Sequence, residues 1–394
     1  MTYKSKTSKR FIFFFVAWAG GLIYFAQRWI FGPLIPSLME AFNSDKTSLG
    51  IIGTGSLWGY MFTPILAGIL SDRYGRKIVI LFGIFGFSIL TIISGFATGP
   101  TFLFIARFIT GLVEPFYFIT LLAFTLELFP ERPGFFLTAI SSGSSLGWFV
   151  GPALSGFLLD FTGSWRIPFI ITGLVGVAIA FFHIFTWPEE IKKSPTSAIF
   201  DKAILKPANL MMLVLLSLTA MFQVSCEFGF TMWYPVFLKT EAGVTTTVAG
   251  FVAGMYGVGQ FIGRPILGWV SDKLDYRPVG IACGIILGTS FLLILYVDNI
   301  VLRSLFTFQA GFIAAAVMGT LWTFAGLFFP SFKGLALGVI TTLAYAAASS
   351  APIAIGYMGD HYSIEKGLLF ISTPSAFLAS FAYLSTYFLK HTKN

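Results

Sequence analysis

Apolar residues occur in runs long enough to cross a bilayer as helices, which takes about 20 residues each. The first six runs are 11–39, 48–70, 78–97, 101–128, 135–159 and 166–187. After one polar stretch they resume at 208–238, 244–270, 278–297, 301–329, 335–359 and 367–389. The pattern predicts an all-α membrane protein of twelve transmembrane helices. The polar stretch Pro188–Pro207, with Lys192, Lys193, Lys202 and Lys206, divides the chain into residues 1–187, a linker at 188–207, and 208–394, with six spans in each half.

The two halves repeat each other. Gly68-Ile-Leu-Ser-Asp-Arg-Tyr-Gly-Arg-Lys77 falls between the second and third runs, and Gly268-Trp-Val-Ser-Asp-Lys-Leu-Asp-Tyr-Arg277 stands 200 residues later. The same offset relates Phe129, Pro130 and Gly134 to Phe329, Pro330 and Gly334, and Pro152, Gly156 and Asp160 to Pro352, Gly356 and Asp360. So many landmarks at one spacing indicate two homologous, pseudo-symmetric six-helix bundles. The second copy lacks the glycine matching Gly75, so a looser turn is expected there.

Composition agrees. Of 394 residues, 56% are hydrophobic and 11% charged, against roughly a quarter charged in a soluble domain, so lipid rather than water covers most of the surface. Cys226 and Cys283 both lie in apolar runs and suggest neither a disulfide framework nor a metal site. The net charge of +8 reflects topology rather than nucleic-acid binding. Of 25 Lys and Arg, 17 fall in the terminal segments and alternate loops on the side of the termini, 5 in the opposite loops and 3 inside spans. By the positive-inside rule both termini are cytoplasmic. The first run has no cleavage pattern and is read as a retained helix.

Charges inside a span cost about 3 kcal/mol or more by insertion scales and mark functional candidates. They are Arg28 in span 1, Arg107 and Glu114 in span 4, Glu227 in span 7 and Arg264 in span 8. Arg107 and Glu114 are seven residues apart, on one helix face but about 10 Å from each other. They can face one cavity without pairing readily. A guanidinium fork matches a carboxylate; the competing use for each arginine is a permanent ion pair with Glu114 or Glu227 that fixes helix packing. Glu114 and Glu227 are the candidate proton carriers, because burial and a nearby arginine push a carboxyl group in opposite directions. In the turn between spans 2 and 3, Asp72 can accept hydrogen bonds from a helix N-terminus of the other half while Arg73 and Arg76 pair with acids. Such a latch would form only in the outward-open state. Glu127 is a candidate partner there, and His183 is read as interfacial.

The two six-span halves and the motif Gly68, Leu70, Asp72, Arg73, Gly75, Arg76 and Lys77 resemble the major facilitator superfamily over the whole chain. The resemblance implies alternating access by two rocking bundles around a central cavity. It also assigns gating roles to Gly68, Asp72, Arg73, Gly75 and Arg76, and to Asp272, Lys273 and Arg277 of the second copy. The segment Arg107-Phe-Ile-Thr-Gly-Leu-Val-Glu114-Pro115 is similar to span 4 of the anion/cation symporter branch, where the arginine meets a substrate carboxylate and the acid couples protons. Arg28, eight residues before Pro36, matches that branch too, whereas Gln27 stands where proton-coupled members often place an acid. Its counterpart at the offset is Glu227. Arg264, in Gly263-Arg264-Pro265, resembles the span-8 arginine of monocarboxylate carriers. Tyr60, Tyr117 and Tyr256 lie on helices that face the cavity in this fold and are expected to contact substrate.

The expected function is proton-coupled transport of a small organic anion, a carboxylate, by a monomer in the cell (plasma) membrane. The expected partners are the solute, protons and the lipid bilayer, with no cofactor, metal or nucleic acid. The alternative is a drug or metabolite/proton antiporter, because Gly147-x-x-x-Gly151-Pro152-x-x-Ser155-Gly156 resembles the antiporter motif of exporters. The sequence contains no Walker loop, metal-ligand cluster or nucleophile–base pair, so an enzyme is not expected.

Overall fold

The computed structural model describes residues 3–188, 207–329 and 333–388, and the described residues are almost entirely helical. The expected linker 188–207 lies, apart from its two ends, outside them. Span 1 is α1 (Tyr3–Trp29) continued by α2 (Phe31–Phe42), and span 2 is α3 (Lys46–Phe62) with α4 (Pro64–Tyr74), bent by 50°. Spans 3 to 6 are α5 (Arg76–Gly95), α6 (Pro100–Leu128), α7 (Pro133–Thr162) and α8 (Arg166–Thr186). Spans 7 to 10 are α9 (Pro207–Thr240), α10 (Thr246–Lys273), α11 (Tyr276–Tyr296) and α12 (Ile300–Phe328). Span 11 is α13 (Lys333–Ala348) with α14 (Ser350–His361), and span 12 is α15 (Ile364–Gly367), a π turn at Leu368–Ser372, and α16 (Thr373–Ser385).

The breaks have a local cause. Pro33, Pro64, Pro352 and Pro374 sit just past the interruptions, and a proline withholds the N–H that the preceding turn requires. Nine described helices or helix runs are long and apolar enough to cross a membrane, ten with the bent pair α3–α4. α7 and α10 are as long but diluted by Gly, Ser and Gln. Their polar faces are spared from lipid because the two helices pack along each other.

Glycines set how closely the helices approach. A Cβ on Gly143, Gly147 or Gly151 would come within 2.5, 2.5 and 2.6 Å of the carbonyl oxygens of Trp18, Leu22 and Ala26, so α7 lies backbone to backbone on α1. The repeat is visible in the same detail. A Cβ on Gly59 or Gly111 would overlap the carbonyls of Phe108 and Ser56, and one on Gly259 or Gly311 those of Phe308 and Tyr256.

The motif turns also match. Gly75 has φ 93° and its counterpart Asp275 φ 128°. The second connection is nevertheless one residue longer, with Leu274 and Asp275 between α10 and α11 where Gly75 alone separates α4 from α5, in the direction expected from its missing glycine. Asp275 holds a conformation that strains an L-residue, and its carboxylate accepts from the Arg277 amide at 3.4 Å.

Gly311→Val is expected to push α10 and α12 apart, at an overpacking cost of about 1–3 kcal/mol or more, and to lose the monodisperse folded species in gel filtration. Gly319→Val, where a Cβ meets nothing, should be tolerated.

Candidate functional site

Arg28, one residue from the end of α1, and Glu114, in mid-α6, form an ion pair whose side chains are 3% and 4% exposed. The cation also lies over the rings of Tyr24, Tyr60 and Phe25 at 5.3, 5.2 and 5.9 Å. Tyr345 of α13 faces the same guanidinium and stacks on Tyr60 at 5.2 Å, so side chains of α1, α3, α6 and α13 meet at one point. A buried ion pair is costly unless its remaining polar atoms are satisfied. Here Nε and Nη1 of Arg28 have no hydrogen-bond partner.

Arg107 is also buried but, among the described residues, forms no salt bridge. Two helical turns before Glu114, it donates through Nη2 to the Gly53 carbonyl at 3.3 Å and to Ser56 Oγ at 3.4 Å. Its cation lies 4.7 Å over the Phe31 ring, and its Nε is unpartnered. A cavity of about 20 Å³, lined by Arg28, Trp29, Phe31, Arg107, Phe228 and Met232 among others, brings both arginines to one space. That volume holds about one water.

In the second half, Glu227 accepts from Gln223 Nε2 at 2.7 Å. Tyr256 faces Glu227 and Gln260, although its hydroxyl completes no hydrogen bond. Arg264 is half-buried. It donates to Gln260 Oε1 at 3.2 Å and, across to α7, to the Ser141 carbonyl at 3.5 Å. Gln27, the counterpart of Glu227, is turned away from this chemistry. It donates to the Thr172 carbonyl and accepts from Thr91 Oγ1, each at 2.8 Å, and so ties α1 to α5 and α8.

Two of the residues singled out in the sequence lie elsewhere. Tyr117 packs inside the first half, donating to the Ala17 carbonyl at 3.3 Å with His183 Nε2 at 3.5 Å. Three residues past Glu114, it is rotated about 60° off the shared face, and Gly20 leaves the room it fills. His183, expected at the interface, is fully buried beside it.

The two ends of the bundle are built differently. At one end Asp360 of α14 accepts from the amides of Lys46 and Thr47 at 2.9 and 2.8 Å and from Thr47 Oγ1 at 2.6 Å. Asp160 of α7 accepts from the Thr247 amide and hydroxyl at 2.6 and 2.7 Å. Each carboxylate thus caps the first turn of a helix in the other half, where N–H groups lack intrahelical partners and the dipole favours an anion. In the sequence these aspartates stand out only as markers of the repeat.

At the motif end, Arg76 binds Glu127 at 2.7 Å and Asp72 at 2.9 Å, all within the first half, while Arg73 lies over Tyr74 at 5.5 Å. Lys273 lies over Trp269 at 3.9 Å, and Arg277 over Tyr387 at 4.1 Å with Asp275 at 3.9 Å. Gly68 and Gly268 border open space. The side chain of Asp272 lies outside the described residues.

The family model of the Major Facilitator Superfamily matches residues 17–352 and again 218–392. A D-galactonate transporter of Escherichia coli O6:H1 is 26% identical over 388 residues, covering 88% of this chain and 88% of that one. A cis,cis-muconate transport protein of Acinetobacter baylyi is 27% identical, covering 91% and 90%. Among solved structures, a bacterial homolog of the human lysosomal transporter Spinster, inward-facing and unoccupied, aligns with TM-score 0.76 at 17% identity over 96% of this chain and 98% of that one.

Glu114→Ala would leave the Arg28 guanidinium buried without its counter-charge, at an expected cost of about 3–5 kcal/mol, read as a lower melting temperature of the purified protein. Replacing both residues, as Arg28→Met with Glu114→Leu, should recover most of that loss. A double variant melting no higher than Glu114→Ala would show that the two do not act as a unit.

Proposed function

The chain belongs to the Major Facilitator Superfamily and is a multi-pass membrane transporter, not an enzyme; from that premise we propose that it carries a small organic anion, a carboxylate, together with a proton by alternating access. The observation that carries this reading is Arg107, a buried cation beside a shared cavity with no acidic mate among the described residues. A buried charge left uncompensated is expensive, and an incoming carboxylate supplies the missing partner as well as acceptors for its free N–H. The relatives' names, which specify organic acids, support the same class.

Arg28 and Glu114 supply the coupling. A substrate carboxylate reaching the free Nε and Nη1 of Arg28 competes with Glu114 for one guanidinium. The carboxylate so displaced loses the charge that held it ionised and takes up a proton. Glu227, hydrogen-bonded to Gln223 and near Arg264, is the second protonatable group, and Arg264 the third cation within reach of substrate. Tyr60 and Tyr256 complete the site from opposite halves.

The excess of basic residues places the motif end and both termini in the cytoplasm, so Asp160 and Asp360 close the outer end in the conformation described. Passage to the outward-open form breaks these two caps, and the Asp72–Arg76 turns then engage the other half. A monomer suffices, because each bundle of six spans supplies one wall of the path.

In proteoliposomes, an inward proton gradient is expected to drive accumulation of a labelled carboxylate, and Arg107→Ala to reduce it at least 100-fold with an unchanged melting curve. Full uptake by that variant would remove Arg107 from the substrate site. Efflux of a lipophilic cation against an opposing proton gradient would instead favour the antiporter. Glu114→Gln should abolish proton-driven accumulation yet permit carboxylate exchange; if Glu227→Gln does so and Glu114→Gln does not, the proton resides on α9.

A further inference from the structure

The arginines select the charge of a substrate but not its body, and the walls around them carry information about that body. The Trp29 ring lies tilted against Trp148 at 4.2 Å and against Phe228 at 5.0 Å. Trp148 meets Phe228 at 5.8 Å and Tyr256 at 5.6 Å. Phe228 in turn meets Tyr345 at 5.9 Å. One continuous set of rings, drawn from both halves, therefore runs from the Arg28–Glu114 pair to the Glu227 group.

Around the two arginines the unsatisfied polar atoms are N–H donors, whereas beside Glu227 the Tyr256 hydroxyl and Gln223 Oε1 are also unpartnered. Nε and Nη1 of Arg28, Nε of Arg107, and the indole N–H groups of Trp29 and Trp148 have no partner. Each of these residues is 5 or 6% exposed. All five atoms are donors that cannot accept. Two hydroxyls line the cavity: Ser56 Oγ already receives Arg107, and Thr54, which donates to carbonyls of its own helix, keeps lone pairs that can accept. A polyhydroxylated acid brings a proton on every hydroxyl, and here few acceptors are free to take them. A carboxylate on a flat unsaturated body brings acceptors alone and presents a π-face to the rings.

We infer that this site selects aromatic or conjugated carboxylates over polyhydroxy acids, with Trp29, Trp148 and Phe228 as the residues that determine specificity. The inference rests on the anion reading and narrows it. Trp29 and Phe228 line the cavity beside the two arginines, so the carboxylate docks on the guanidinium edge while the body lies between rings from opposite halves. Trp148 closes that slot from α7.

The test is proton-driven uptake of labelled benzoate, cinnamate and gluconate by the full chain in proteoliposomes, with quenching of the intrinsic tryptophan fluorescence by benzoate in the purified protein. Benzoate or cinnamate should exceed gluconate at least tenfold in kcat/KM. Trp148→Ala should lower the ratio at least fivefold by raising KM, whereas Trp148→Phe, which keeps a ring and loses one donor, should restore most of it. Gluconate uptake equal to or faster than that of both flat acids, still dependent on Arg107, overturns this inference and leaves the anion reading standing. Carriage of none of the three acids, with no quenching, overturns the anion reading itself. If Trp148→Ala fails to fold, the wild-type ratio and the Trp148→Phe variant decide the matter alone.

Discussion

A guanidinium buried in an apolar helix bundle calls for a counter-charge, and among the described residues of the first half one carboxylate, Glu114, is buried for two such groups. Glu114 is taken by Arg28. Arg107 is left with a backbone carbonyl, a serine hydroxyl and the face of a phenylalanine, partners that ease its desolvation without cancelling its charge. The rings around both cations follow from the same need, since an aromatic face is an apolar wall that tolerates a cation. The cavity is thus a place where positive charge is held in readiness, and the close approach of Tyr60 and Tyr345 from opposite halves joins that charge to the relative position of the two bundles.

Moving the bundles requires contacts that are strong in one arrangement and replaceable in another. Backbone-to-backbone packing through glycines brings α10 of one half onto α7 of the other, where a Cβ on Gly250, Gly254 or Gly257 would come within 2.2, 2.9 and 2.5 Å of backbone atoms of Pro152 and Phe149. The specific bonds between halves are concentrated at one end, where Asp160 and Asp360 cap helices with exposed first turns. Such caps are exchangeable with water at modest cost because both partners lie near the surface. Charge is therefore enclosed at the centre in this conformation and held by exchangeable caps at the rim.

Much of the fold was legible in the sequence because bilayer thickness fixes span length, and proline and glycine punctuate the turns. The 200-residue offset was readable at Gly156 and Gly356 or at Asp160 and Asp360 because backbone proximity and helix capping admit few residue types. The site was legible only in part. Burial inside spans identified Arg28, Arg107 and Glu114, but pairing could not be read, because Arg28 and Glu114 are 86 positions apart and their meeting depends on how α1 and α6 pack. Tyr117 shows the limit from the other side: a helix that faces the cavity still turns most of its residues elsewhere. Trp148, Phe228 and Tyr345 gave no signal in a chain with 47 phenylalanines and 14 tyrosines, since nothing local separates a ring that meets lipid from one that meets substrate.

The repeat constrains structure and releases chemistry, and the paired positions show how. Arg28 corresponds to Phe228, Arg107 to Thr307, Glu114 to Ala314 and Arg264 to Pro64, and Glu227 to Gln27, which is spent on tying helices together, so every one of these intramembrane charges has an uncharged counterpart. Had both halves kept the same charges, the closed bundle would bring like charges into one low-dielectric space, where their repulsion is weakly screened. Dividing the roles avoids this. The first half holds the paired and the unpaired arginine, and the second supplies aromatic walls and a separate carboxyl group beside Gln223. The two groups then influence each other only through what lies between the bundles, which is the condition for making substrate occupancy and protonation depend on one another.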